Sequence, residues 1–180
     1  MRKIFDFIVF SLLFFALQST SQAATDFSYQ VHVQNIGWMN EVGNGGVAGT
    51  TGRSLRLEAL VIHLEDDYES MVEYCAHVQD IGWMGWCETG EIAGTVGQGL
   101  RLEAVRIKLT GRYARKYDIY YRAHVQDGGW LGWAKNGEPA GTSGAGLRME
   151  ALQIQLVPKG KNFNRGGRAF YQKGNRPSYI

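Results

Sequence analysis

Several sets of side chains in this chain could do chemistry, and most of them occur three times at one fixed spacing. His32, His77 and His124 each stand three positions after a tyrosine and six before a tryptophan. Three imidazoles related by a threefold axis could hold one metal ion if they converged near it. Nothing in the residues shows convergence, so hydrogen bonding within each copy is the expected role. No Cys/His zinc spacing or phosphate loop is present, and neither a metal nor a cofactor is expected. Arg56 with Glu58, Arg101 with Glu103, and Arg148 with Glu150 stand two residues apart, which on a strand is one face. A glycosidase needs two carboxylates flanking one bond. Three equivalent glutamates, each beside an arginine, read instead as repeated structural ion pairs. Ser143 lies in Gly-Thr-Ser-Gly-Ala, which lacks the nucleophile spacing G-x-S-x-G. No catalytic residue is therefore predicted, and a secreted hydrolase is the least favoured reading.

The tryptophans suggest binding. Trp38, Trp83 and Trp130 recur in every copy. Their faces could stack on sugar rings, but a large aromatic repeated after a turn is expected to plug the core. Trp86 and Trp133 share strand parity with Met39, Met84 and Leu131, and Glu41 takes their place in the first copy. A position that accepts a carboxylate is a solvated one, because burying an unpaired charge is costly. Trp86, Trp133, Met84 and Leu131 are therefore the candidate ligand contacts. Gln34, Gln79 and Gln126, followed by Asn35, Asp80 and Asp127, are expected to satisfy turn backbone, with contact to sugar hydroxyls as the alternative.

These residues are carried by a gap-free internal triplication. Residues 29–64, 74–109 and 121–156 align position by position over 36 residues, and 17 positions are identical in all three. A repeat of this length is one supersecondary unit, copied until the copies bury a common core. Each begins with an alternating run, Tyr29 to Gln34 and its copies, in which Tyr and Val share one face: the period of a strand with one buried side. The [Asn/Asp]-x-Gly that follows is turn chemistry, and a second short strand carries the tryptophan. The last segment changes phase. Leu55 and Leu57 are in step, then Leu60, Ile62 and Leu64 are in step one residue off. The slip falls at the invariant Glu-Ala, where a bulge or strand break would return the apolar side chains to the core. About four short strands per copy and no helical period predict one closed all-β domain with pseudo-threefold symmetry, a β-trefoil or a β-prism. Cys75 and Cys87 fall on adjacent strands of one predicted hairpin. Strict alternation would put them on opposite faces, but outside the cytosol a disulfide is the expected state.

Residues 1–23 read as a signal peptide: Arg2 and Lys3, an apolar run from Ile8 to Leu17, then Ser21-Gln22-Ala23 at the cleavage positions. The run is shorter than the roughly 20 apolar residues of a membrane span. Location is thus expected to be extracellular, or periplasmic. The predicted domain covers residues 24–157. From Val157 onward the chain has six Lys or Arg and no acid, whereas the body between signal and tail has 11 basic and 16 acidic residues. An acidic body on an exported chain is not the footprint of a nucleic-acid domain. The tail, 158–180, is expected to be a disordered extension, with attraction to anionic surfaces as its alternative role.

The shared frame H-V-Q-[ND]-x-G-W, then G-x-x-A-G-T-x-G-x-x-L-R-[LM]-E-A-[LV]-x-I, closely resembles the ChW repeat, a clostridial hydrophobic repeat with a recurring tryptophan. The resemblance covers all three copies. It implies an exported bacterial protein with a non-catalytic role: binding extracellular or cell-surface carbohydrate, or protein–protein adhesion. Two features depart from the pattern: Glu41 in place of the second tryptophan, and a basic tail that belongs to no repeat.

Overall fold

The computed structural model describes residues 27–64 and 71–173. The expected signal peptide and the last residues of the tail lie outside them. The first repeat forms β1 (Phe27–Val33), β2 (Gly37–Trp38), β3 (Val42–Gly43), β4 (Val47–Gly49) and β5 (Leu57–Leu64). The second forms β6 (Val72–Val78), β7 (Gly82–Trp83), β8 (Ala93–Gly94) and β9 (Leu102–Leu109). After α1 (Gly111–Lys116) the third forms β10 (Tyr117–Val125), β11 (Gly129–Trp130), β12 (Ala134–Lys135), β13 (Ala140–Ser143) and β14 (Met149–Pro158), and the tail adds β15 (Phe170–Gln172). The protein is all-β with three repeats, as expected. The six-residue α1 is an addition; it is too short to show a period in the sequence, and buried Tyr113 anchors it.

In every repeat the first and last strands form a long antiparallel pair: β1 with β5, β6 with β9, β10 with β14. The turn after the first strand puts Asn35, Asp80 and Asp127 at φ of about +60°. Asn and Asp tolerate this left-handed conformation because their short polar side chains bond locally, which explains their recurrence there. The phase slip in the last strand is a bulge. Val33 pairs with Leu57 and His32 with Ala59, so Glu58 is the extra residue; Glu103 and Glu150 hold the same place.

No repeat completes its own sheet. The A-G-T segment of each crosses to a neighbour: β8 pairs with β5, β13 with β9, and β4 with β14, which closes the ring. Three separate sheets result, the arrangement of a prism rather than the continuous barrel of a trefoil. The A-G-T glycine is required by this crossing. A Cβ on Gly94 would stand 2.5 Å from the Glu58 carbonyl oxygen and 2.9 Å from Ala59 Cα, at a φ of +110°.

Tyr29, Tyr74 and Tyr121 are fully buried and tie the same seams. Their hydroxyls donate to the carbonyls of Gly46, Glu91 and Glu138 within their own repeats. Tyr74 also accepts from Ile62 N–H at 3.1 Å, and Tyr29 from Ile154 N–H at 2.9 Å, each in the preceding repeat of the ring. One hydrophobic cluster contains Val33, Val78 and Val125 together with buried residues from all three sheets, so the copies share a core.

Candidate functional site

On the outer side of each sheet the bulge delivers a buried carboxylate to a histidine and an arginine. Glu58 Oε1 accepts from Arg56 Nε at 2.9 Å, Glu103 from Arg101 at 3.0 Å, and Glu150 from Arg148 at 2.9 Å. The other carboxylate oxygen lies 3.0 Å from His32 Nδ1, 3.2 Å from His77 Nδ1 and 3.2 Å from His124 Nδ1. These last are close approaches rather than aligned hydrogen bonds, since Nδ1 lacks a hydrogen-bond partner of good geometry. A buried carboxylate is tolerated when a counter-charge holds it, as the arginine does for each glutamate. Each histidine belongs to its own sheet, and among the described residues no group of His, Cys, Asp or Glu could hold a metal.

The histidine in turn props a tryptophan edge-on. His32–Trp38, His77–Trp83 and His124–Trp130 have ring centroids 5.4, 5.3 and 5.4 Å apart and planes at 84°, 85° and 82°. The expected core plugs are therefore not in the core. The strand places histidine and tryptophan as cross-strand neighbours on the polar outer face. Trp38 is 38 % exposed, and Trp83 and Trp130 are half-buried. A guanidinium lies over one face of each of the latter two, Arg106 at 4.5 Å from the Trp83 centroid and Arg122 at 4.7 Å from that of Trp130. In the first repeat the equivalent cross-strand pair is Gln30 and Val61, so Trp38 keeps an open face.

A crossing strand adds one residue to the site of the second repeat. Ser143 Oγ, from the third repeat, lies 3.1 Å from His77 Nε2 of the second. A cleft of about 480 Å³ there is lined by His77, Asp80, Ile81, Arg101, Glu103 and Ser143. Ser, His and Glu stand in the order of a nucleophile relay. However, the same His–Glu–Arg set recurs where the equivalent residue is Val96 or Thr51. The set thus serves the sheet whether or not a hydroxyl faces it. Sequence reasoning missed this contact, because the partner strand comes from another repeat.

The second tryptophan position behaves differently in each copy. Trp86 is 45 % exposed, with Lys108 Nζ 4.5 Å from its centroid. Trp133 is 9 % exposed, contrary to the expectation of a solvated ring. Phe163 from the tail meets it at 5.1 Å and stacks on Tyr120 at 4.1 Å. Glu41 accepts a hydrogen bond from Ser28 at 2.7 Å and lies 3.5 Å from His63. Leu131 is buried in the core and Met84 packs against it, so only Trp86 of that candidate set offers an open face. The side chains of Gln34, Gln79 and Gln126 stay half-exposed at the turn, and their backbone N–H groups bond to Arg56, Arg101 and Arg148 carbonyls at 3.0 Å.

Two further expectations are corrected. Cys75 and Cys87 are free thiols. Cys87 faces Tyr74, not Cys75, so the alternation that puts the two cysteines on opposite faces prevails. Burial pushes both thiols up from the usual cysteine range. The tail, expected to be disordered, is docked through residue 173. Lys159 Nζ pairs with Asp118 at 2.8 Å, Trp133 N–H donates to Arg165 O at 2.8 Å, and β15 runs parallel to β13. It stays down because Phe163 and Tyr171 bury apolar surface, a signal the aromatic spacing carried but the charge count masked.

The fold and these faces define a class: a three-sheet β-repeat protein with tryptophans displayed on buried ion-pair supports. Three matches to the ChW family, described as Clostridial hydrophobic W, cover residues 32–66, 77–111 and 124–158, and the chain belongs to that family. No curated protein and no solved structure matches it.

Proposed function

We propose that this protein is an exported, non-catalytic binding module for extracellular or cell-surface carbohydrate. The observation that carries this reading is the pair of exposed aromatic rings, Trp38 on β2 and Trp86 in the loop after β7. An exposed tryptophan on a preorganised support loses little entropy when a sugar ring stacks on it. The bulged Glu58 holds the histidine that props Trp38, and Lys108 lies over the Trp86 ring, so neither support needs a ligand. The apolar Ile36 and Ile81 beside the turns are exposed as well, and would extend the contact.

A glycan array followed by calorimetry tests this. Trp38→Ala and Trp86→Ala, both surface changes, should leave the fold intact and weaken sugar binding by about tenfold each. Sugar binding unchanged in the double variant would sink the assignment of these residues. Absence of glycan binding, with a specific protein captured on the same faces, would favour the adhesion reading. Covalent labelling of Ser143 by a fluorophosphonate would instead support the hydrolase.

A further inference from the structure

The docked tail makes the third repeat unlike the other two. Residues 165–168 arch over Gly132, whose N–H donates to Arg168 O at 3.0 Å. A Cβ on Gly132 would collide with the Gly167 carbonyl, whereas the equivalent Gly85 has open space. Between arch and sheet lies a cleft of about 470 Å³, a size that suits a small ligand. Its walls are Trp130 and Trp133, and its charged lining is Arg122, Arg165 and Arg168, with no acidic residue.

Arg122 is the central group. Its guanidinium lies 4.7 Å from the Trp130 centroid and 4.6 Å from that of Trp133. Its Nε donates to Gln153 Oε1 at 2.9 Å, which fixes the plane of the fork. Among the described residues no carboxylate forms an ion pair with it. Arg165 differs, since it is held by Glu138 and by the Trp133 carbonyl. Desolvation lowers the pKa of Arg122, as befits a cation partly shielded from water without a counter-ion. A planar guanidinium fork matches an oxyanion bidentately, and the half-buried Trp130 beside it offers a wall for a ring.

We propose that this cleft binds an acidic sugar, one carrying a carboxylate, phosphate or sulfate, with the oxyanion on Arg122 and the sugar ring against Trp130. The site is separate from the open faces of Trp38 and Trp86 and does not depend on their role.

The test uses the full chain, 15N-labelled, with the five tryptophan indole N–H signals as reporters. Glucuronate and glucose 6-phosphate should move the Trp130 and Trp133 signals saturably. Glucose should not saturate over the same range, and inorganic phosphate should bind more weakly than glucose 6-phosphate. Arg122→Gln should weaken glucuronate binding about tenfold or more, while Arg53→Gln, an exposed arginine elsewhere, should not. Because Arg122→Gln could loosen the tail, salt supplies a second reading on the unaltered protein. Raising it from about 0.05 to about 0.5 M should weaken binding severalfold. Glucose binding as well as glucuronate, inorganic phosphate binding as well as the sugar phosphate, a folded Arg122→Gln variant with full affinity, or indifference to salt would each overturn the proposal. Shifts confined to Trp38 and Trp86 would do the same, while leaving the carbohydrate reading of those faces standing.

Discussion

Replacing Gly94 by alanine should open the seam between the first and second repeats. The magnitude follows from three local facts. The φ of +110° is a region that L-residues rarely occupy, and such strain costs about 1–3 kcal/mol. The new Cβ would stand 2.5 Å from Glu58 O and 2.9 Å from Ala59 Cα, both backbone atoms, so no side chain can swing away. Relief therefore requires β8 to lift from β5. That breaks the 2.9 Å bond from Thr95 N–H to Glu58 O, and a buried group left unpaired adds about 1–3 kcal/mol. The expected loss is about 3–5 kcal/mol, read as a fall of about 2 M in the urea midpoint at constant slope. Gly97→Ala is the internal control. Its φ is +74° and nothing lies within 4 Å of its Cβ position, so it should lose only about 1–2 kcal/mol. Equal losses in the two variants would falsify the view that close strand crossing demands the A-G-T glycine. A second unfolding step in Gly94→Ala would show that the repeats do not share one cooperative core.

Glu103→Gln should remove the charge that faces both Arg101 and His77, lowering the thermal midpoint by about 5 °C; an unchanged midpoint would deny the pair a structural role. Burial, only partly offset by the Ile154 and Ile62 hydrogen bonds, pushes Tyr29 and Tyr74 up to about 12. Tyrosine in an unfolded chain titrates near 10. The stability these residues contribute is present in full below pH of about 10 and is lost as pH rises toward 12. Part of the tyrosinate absorbance at high pH should therefore appear only together with loss of the circular dichroism of the fold, and complete ionisation of the tyrosines in an intact fold would contradict it. Alkylation of denatured, unreduced protein should label both Cys75 and Cys87, and a mass showing one bridge per chain would refute the free-thiol assignment.

What the sequence alone determined was everything that depends on local pattern. The triplication, the alternating first strand, the turn at Asn35, Asp80 and Asp127, and the phase slip at Glu-Ala all follow from near neighbours, and all are present in the structure. The Arg–Glu pairs were readable for the same reason, since two residues on one strand share a face without help from the rest of the chain.

Tertiary structure decided which strand meets which. A three-residue A-G-T segment fits the edge of any sheet. Only closure of the ring assigns β8 to β5 and brings Ser143 to His77. Exposure of the tryptophans was decided at the same level. Parity states that two side chains lie on one face, but not whether that face will be covered. Trp86 and Trp133 occupy the same repeat position, yet one is open and the other is buried under Phe163, about 30 residues further along the chain. No local pattern encodes a contact whose energy exists only after the third sheet has formed.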